Sequence, residues 1–315
     1  MMPGRRTEIY MRRSYLVAIF LTSVLFATCR APADDNNCIL GRYLSLPISF
    51  DEYGGVVVPF TIEEKAVNLL IDNGGSYSIM TEGAAARLSL QPRQAERNLI
   101  TMYGGKEFSH YVKTDSLMIG DAKIRKTFVL VSDNMVPPEI DGTLGAEVLD
   151  LFDIDFDFAN AKLNIFSQQH CEGQAVYWTH DAFAQVPFEY DSGVSHAIYG
   201  RQINFEVTLD GKKVTAFIDT GMSRTVMSLE TAQDLFGADK ITAAAAEHTY
   251  PFKTLAFPGV EVKNPDITLL SDKKSQIMGK HFLPQLILGM NVLRQLHLYI
   301  AYKEKMLYVT PASAH

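Results

Sequence analysis

"AFIDTGMS", residues 216–223, carries a buried apolar run straight into an aspartate and a Thr-Gly turn. A carboxylate at the edge of a core is partly desolvated, which is costly unless a partner or a reaction uses it. Gly221 permits a tight turn and the close approach of a second backbone. At 69–76 the chain reads "LLIDNGGS", an altered copy with Asp72 in place of Asp219 and Asn73-Gly74 in place of Thr220-Gly221.

The copies extend well beyond these turns. Asp219 follows Asp72 by 147 residues, and Gly289 of "LILGMNVL" follows Gly145 of "DGTLGAEVL" by 144. A nearly constant offset over more than a hundred residues predicts two copies of one unit. Period-two patterning in "GVVVPFTI", "VNLLID" and "INFEVTLDGKKVTAFID" predicts strands, with Asp210-Gly211 a hairpin turn. Helical pattern is confined to short stretches from Thr81 and from Ser228, each hydroxyl placed as an N-cap. The expected fold class is therefore all-β and bilobal: 1–33 a signal peptide, 34–172 the first lobe, 173–315 the second.

With 47% hydrophobic and 21% charged residues, the 315-residue chain has the composition of an ordinary globular protein. Arg5, Arg6, Arg12 and Arg13 precede the apolar run at 15–27, which is short for a membrane span and reads as a secretory signal. Cleavage fits Ala31-Pro32-Ala33 or Ala27-Thr28-Cys29. Lipidation of Cys29 is an alternative, although Phe26 and Thr28 are a poor context for it, and retention of the apolar run as a membrane anchor is another. Export to the periplasm, the cell envelope or the medium is expected. A mature chain starting at Asp34 loses five Arg and one Glu, taking the formal charge from -7 to -11. An acidic surface without a basic stripe excludes nucleic acid as a partner. Of three cysteines, Cys38 and Cys171 remain as a disulfide candidate. No CxxC, HExxH or GxSxG occurs, and the eight histidines lack ligand spacing, so no metal and no cofactor is expected.

If the copies are related by a pseudo-twofold axis, the turns meet there and Asp72 faces Asp219. Two carboxyls in contact share one proton and titrate as a pair. The ionised member activates a water, while the protonated member polarises a peptide carbonyl.

"FIDTGMS", "LIDNGGS", "GTLG" and "LILGMNVL" together resemble the aspartic peptidases, specifically the bacterial retropepsin-like group, here as tandem lobes over roughly Leu46 to Val309. The resemblance implies a bilobal pepsin-like fold with Asp72 and Asp219 as the catalytic pair. It implies that Ser76 and Ser223 support the outer carboxylate oxygens, and that Thr220 joins the grip between the turns. Gly74 and Gly221 complete those turns. Asn73 departs from the pattern: a planar amide replaces a hydroxyl, so the grip must be asymmetric.

Copy one spans 45 residues from Asp72 to Leu117, whereas copy two spans 36 from Asp219 to Leu255. The surplus surrounds "TMYGGKEFSHYV", 101–112, and reads as a hairpin flap over substrate with Tyr103, Gly104 and Gly105 at its tip. Asp153, Asp155 and Asp157 alternate along one strand and read as a solvated face rather than a calcium site. Trp178, the sole tryptophan, is expected between the copies. The reading is a monomeric, exported aspartic endopeptidase acting on extended protein or peptide substrates, with a non-catalytic peptide-binding module of the same fold as the alternative.

Overall fold

The computed structural model describes residues 8–11, 40–97, 100–101, 107–190, 201–271 and 285–313. In the first lobe, Val56–Ile62 and Lys65–Asp72 form an antiparallel hairpin with Val57 opposite Leu70. Its two-residue turn holds Glu63 and Glu64 at φ 47° and 63°. In the second lobe, Ile203–Leu209 and Lys212–Ile218 pair through Asp210 and Gly211 at φ 44° and 82°. Paired left-handed residues match the twist of the flanking strands, so both hairpins carry their aspartate-bearing strand away at the same angle.

The return path is duplicated as well. Gly142–Gly145 lies parallel to Lys65–Asp72, with Gly145 beside Asp72. Leu286–Leu288 lies parallel to Lys212–Ile218, with Leu288 beside Ile218. Each returning strand is flanked on its other side by an antiparallel neighbour, Ile79–Thr81 or Thr225–Ser228. Those neighbours in turn run parallel to Ala122–Val131 and Ile267–Leu270. The repeated offsets thus correspond to repeated topology, and the fold is two-lobed and all-β with few short helices. Those helices start where the hydroxyls predicted. Thr81 Oγ1 accepts from Ala84 N–H at 3.1 Å ahead of Glu82–Arg87, and Ser228 Oγ accepts from Thr231 N–H at 3.0 Å ahead of Leu229–Phe236.

A six-stranded sheet joins the lobes. Asp153–Asp157 of the first pairs antiparallel with Leu296–Ala301 of the second, placing Ile154 opposite Ile300 and Phe156 opposite Leu298. These side chains belong to one continuous apolar core that includes Val56, Leu69 and Ile71 as well as Val207, Ile218 and Leu288. Burial on this scale gives one cooperative body rather than two loosely tethered ones.

The sheet corrects one expectation. Asp153, Asp155 and Asp157 do share a face, but it is not solvated: they are 0%, 0% and 9% exposed. The segment linking the lobes covers that face and brings His170 and Tyr177 with it, while His297 comes from the paired strand Leu296–Ala301. His170 Nε2 lies 2.5 Å from Asp153 Oδ2, His297 Nε2 lies 2.7 Å from Asp155 Oδ1, and the Tyr177 hydroxyl donates to Asp155 Oδ2. Trp178 stacks on His297 at 4.3 Å and donates to Thr310 Oγ1 at 3.0 Å, so the tryptophan packs on the shared sheet. Buried carboxylates are tolerated there because each finds such partners. No group of metal-ligating side chains occurs among the described residues.

Two further expectations meet the limits of the described residues. Of the expected flap segment, Ile100–Thr101 pairs antiparallel with Glu107–Phe108, while Tyr103, Gly104 and Gly105 lie outside the described residues. Cys38 also lies outside them. At the amino-terminal side, Glu8–Met11 adds an edge strand to Val260–Lys263 of the second lobe. Among the described residues no helix is long and apolar enough to cross a membrane.

Candidate active site

Asp72 closes the strand Lys65–Asp72, and Asp219 directly follows Lys212–Ile218. Both strands are apolar up to that point because Leu69, Leu70, Ile71, Ala216, Phe217 and Ile218 are buried. The hairpin and its parallel neighbour fix where each strand ends, and the two ends meet at the boundary between lobes. The glycines show how closely. A Cβ on Gly74 would lie 2.2 Å from Asp219 Cγ, and one on Gly221 would lie 2.7 Å from Asp72 Oδ1. Each turn's glycine therefore cups the carboxyl of the opposite lobe, an approach open only to a residue without a side chain.

Beneath the carboxyls the turns grip each other. Thr220 Oγ1 donates to Ile71 O at 2.7 Å and accepts from Asn73 N–H at 3.3 Å. In return Asn73 Oδ1 accepts from Thr220 N–H at 2.8 Å. The predicted asymmetry is thus resolved by the amide oxygen, which does a hydroxyl's accepting work. Its Nδ2, however, is buried with no partner, and Asn73 is only 1% exposed.

From beneath, the turns are braced by Ser78 and Thr225, a role separate from the support of the outer carboxylate oxygens expected of Ser76 and Ser223. Ser78 Oγ accepts from Gly145 N–H at 3.0 Å, and Thr225 Oγ1 accepts from Gly289 N–H at 3.1 Å. Both are fully buried, whereas Ser76 and Ser223 are partly exposed at the rim. Each brace is completed from the short helix after its glycine. Ser78 N–H donates to Glu147 Oε1 at 2.6 Å, and Thr225 N–H donates to Asn291 Oδ1 at 2.7 Å. Gln202 reaches across from the second lobe, its Nε2 donating to Gly74 O at 3.1 Å.

Asp72 and Asp219 are in side-chain hydrogen-bond contact. Burial pushes both above the ordinary carboxylate range, Asp219 well above it, with the charge of Asp72 the next cause at Asp219. Amide hydrogens act in the other direction: Gly75 N–H donates to Asp72 Oδ1 at 2.8 Å and Gly221 N–H to Asp219 Oδ1 at 2.8 Å. The direction we assign is a proton on Asp219 and a charge on Asp72, because one desolvated pair cannot easily hold two charges. Such a site can activate water on one oxygen and donate a hydrogen bond from another.

Residues 58–148 match the family model described as aspartyl protease, and residues 205–295 match the one described as gag-polyprotein putative aspartyl protease. No curated protein matches. Similar solved structures include conglutin gamma, a basic 7S globulin from lupine seeds, at 12% identity over 88% of this chain and 96% of that one, with a TM-score of 0.49. Basic 7S globulin from soybean aligns at 10% identity over 88% and 96%, also with a TM-score of 0.49. The structure of edgp aligns at 9% identity over 85% of this chain and 94% of that one, again with a TM-score of 0.49.

Proposed function

This chain is a two-lobe retropepsin-like protein with an aspartyl protease domain in each lobe, and from that premise we propose that it hydrolyses peptide bonds as an aspartic endopeptidase. The observation that carries this reading is the meeting of Asp72 and Asp219, each cupped by the glycine of the opposite turn. Asp72 takes a proton from a water held between the carboxyls, while Asp219 passes its proton to the peptide carbonyl oxygen as the water oxygen bonds to carbon. A neutral gem-diol results. Its C–N bond breaks as the proton on Asp72 moves to the amide nitrogen and a diol hydroxyl returns its proton to Asp219. Ser76 and Ser223 would steady the outer carboxylate oxygens from the rim.

Substrate would enter as an extended strand beneath the segment carried by the paired strands Ile100–Thr101 and Glu107–Phe108. The exported, monomeric protein with residues 1–33 removed and Cys38 bonded to Cys171 completes the proposal. Removal of that segment would take the edge strand Glu8–Met11 with it.

Asp72→Asn and Asp219→Asn, each assayed on an unstructured peptide library across pH, test the reading. Each is expected to lower kcat/KM by about 10³-fold or more, the scale seen when a concerted catalytic unit loses a member. Cleavage surviving both substitutions would refute the mechanism. A second reading, a peptide-binding module without catalysis, draws support from the unpartnered Asn73 Nδ2 in the grip. Wild-type protein that binds peptides and cleaves none at any pH would establish that reading instead.

A further inference from the structure

The lobes brace their aspartate turns with matched geometry and unmatched charge. In the second lobe the brace is neutral. Asn291 Oδ1 accepts from Thr225 N–H at 2.7 Å and from Thr225 Oγ1 at 2.8 Å, and its Nδ2 donates to Asp266 O at 2.7 Å. In the first lobe the equivalent position, two residues after Gly145 as Asn291 is two after Gly289, is Glu147. Its Oε1 accepts from Ser78 N–H and pairs with Lys126 Nζ from the strand Ala122–Val131. Both side chains are 12% exposed, and Glu147 Oε2 is buried without a partner.

A largely buried ion pair is a poor way to gain stability when a neutral amide fits the same bracket, because two charges must be mostly desolvated to form it. The chain demonstrates the neutral solution in its own second lobe. The charged one stands beside one aspartate only. We propose that Glu147, tethered by Ser78 and Lys126, is a positioning residue that sets how strongly Asp72 takes the proton of the attacking water.

The electrostatics have a definite sense. Asp72 accepts amide hydrogens from its own turn, which stabilise its charge and weaken it as a base. Burial does most to keep Asp72 basic, and the negative charge of Glu147, two residues beyond the Gly145 that pairs beside Asp72, adds to it against those amides. Lys126, joined to the same carboxylate, limits that effect. The charged groups facing Asp72 are Asp219 from the opposite turn, Glu147 from the helix Ala146–Leu149 and, through Glu147, Lys126. The inference rests on the peptidase reading for its catalytic meaning, but the titration it describes exists in the folded protein whether or not the protein cleaves peptides.

The experiment is a carbon-13 NMR titration of aspartate carboxyl carbons in the full chain, with the dyad signals assigned from the Asp72→Asn and Asp219→Asn spectra. Glu147→Gln removes the negative charge and leaves Lys126 uncompensated, so the lower step of the dyad is expected to shift down. Lys126→Met leaves Glu147 unopposed, so the same step is expected to shift up. Shifts of opposite sign cannot come from a generic loosening of the brace. Steps that move in the same direction in both variants, or in neither while far-UV circular dichroism and melting match the wild type, would overturn the proposal. If either single variant does not fold, Glu147→Asn with Lys126→Met copies the neutral brace of the second lobe; a downward shift supports the proposal and an unmoved step overturns it. In a cleaving enzyme the acid limb of kcat/KM against pH follows the same signs. Absence of cleavage bears on the proposed function alone and leaves the titration to decide this inference.

Discussion

The two aspartate turns are built by the same topology and finished with different chemistry. Thr220 uses one hydroxyl twice, donating to Ile71 O and accepting from Asn73 N–H. Asn73 divides those tasks between two atoms: Oδ1 accepts from Thr220 N–H, and Nδ2 finds nothing to donate to. A hydroxyl can rotate its single hydrogen toward whichever acceptor is present, whereas an amide points donor and acceptor in fixed directions. Strand pairing and apolar packing fix where the turns meet. The polar side chains beneath are then free to diverge so long as the acceptor needed across the axis is supplied.

The most damaging way to break this comparison is to fill the space where the turns touch. Gly74→Ala would put Cβ 2.2 Å from Asp219 Cγ, and Gly221→Ala would put it 2.7 Å from Asp72 Oδ1. Neither distance is compatible with the present positions, so a carboxyl must move. Misplacing a reacting group by about 1 Å costs on the order of 10²-fold in rate. Both variants are expected to lose at least that in kcat/KM on a peptide substrate, and Gly74→Ala the more. Equal activity in Gly74→Ala and wild type would show that the carboxyls do not meet in solution as they do here.

Most of the architecture was legible because it depends on local pattern and on repetition. The 147-residue spacing of Asp72 and Asp219, the Asp210-Gly211 turn and the caps at Thr81 and Ser228 are all properties of short stretches. What escaped depends on contacts distant in sequence. Ser78 and Thr225 brace the turns through Gly145 and Gly289, which lie 67 and 64 residues away and are set by strand register. The face holding Asp153, Asp155 and Asp157 is closed by a linker whose path no period-two pattern reveals, although His170 and Tyr177 within it supplied the polar groups. Glu147 was visible in principle. Aligning the copies on their glycines sets it against Asn291, a charge facing a neutral amide, but its pairing with Lys126 requires the fold.

A second break tests the grip itself. Thr220→Val keeps the shape of the side chain and removes its hydroxyl, leaving Ile71 O without its donor and Asn73 N–H without its acceptor. Two buried polar groups left unpaired cost about 2–6 kcal/mol in total, read as a lower urea midpoint at unchanged slope. The carboxyls above add a pH term. Asp219 holds its proton more tightly folded than unfolded, because burial and then Asp72 raise it. Stability from that proton is therefore complete below the ordinary carboxylate value of 3.8 and is lost as pH rises from there toward the raised folded value. Asp219→Asn carries no such penalty. Its melting temperature is expected to exceed that of the wild type at neutral pH, with the gap closing on acidification; a gap that widens toward acid would contradict the assignment.

The smallest change sharpens the comparison by restoring its symmetry. Asn73→Thr places on the first turn the hydroxyl that Thr220 carries on the second. That oxygen can still accept from Thr220 N–H, now 2.8 Å from Asn73 Oδ1, while its hydrogen turns toward the carbonyl of Ile218, the residue matching Ile71 by the 147-residue offset. The buried Nδ2 without a partner disappears at the same time. An unsatisfied buried donor costs about 1–3 kcal/mol, and part of that returns as the β-branched side chain settles into a site shaped around an amide. The net expectation is a gain of about 1 kcal/mol in urea unfolding, with activity equal to the wild type or higher. A loss of stability would mean that Nδ2 is satisfied in solution, by a buried water bridging it to the backbone, and that the amide is the fitted residue at this position.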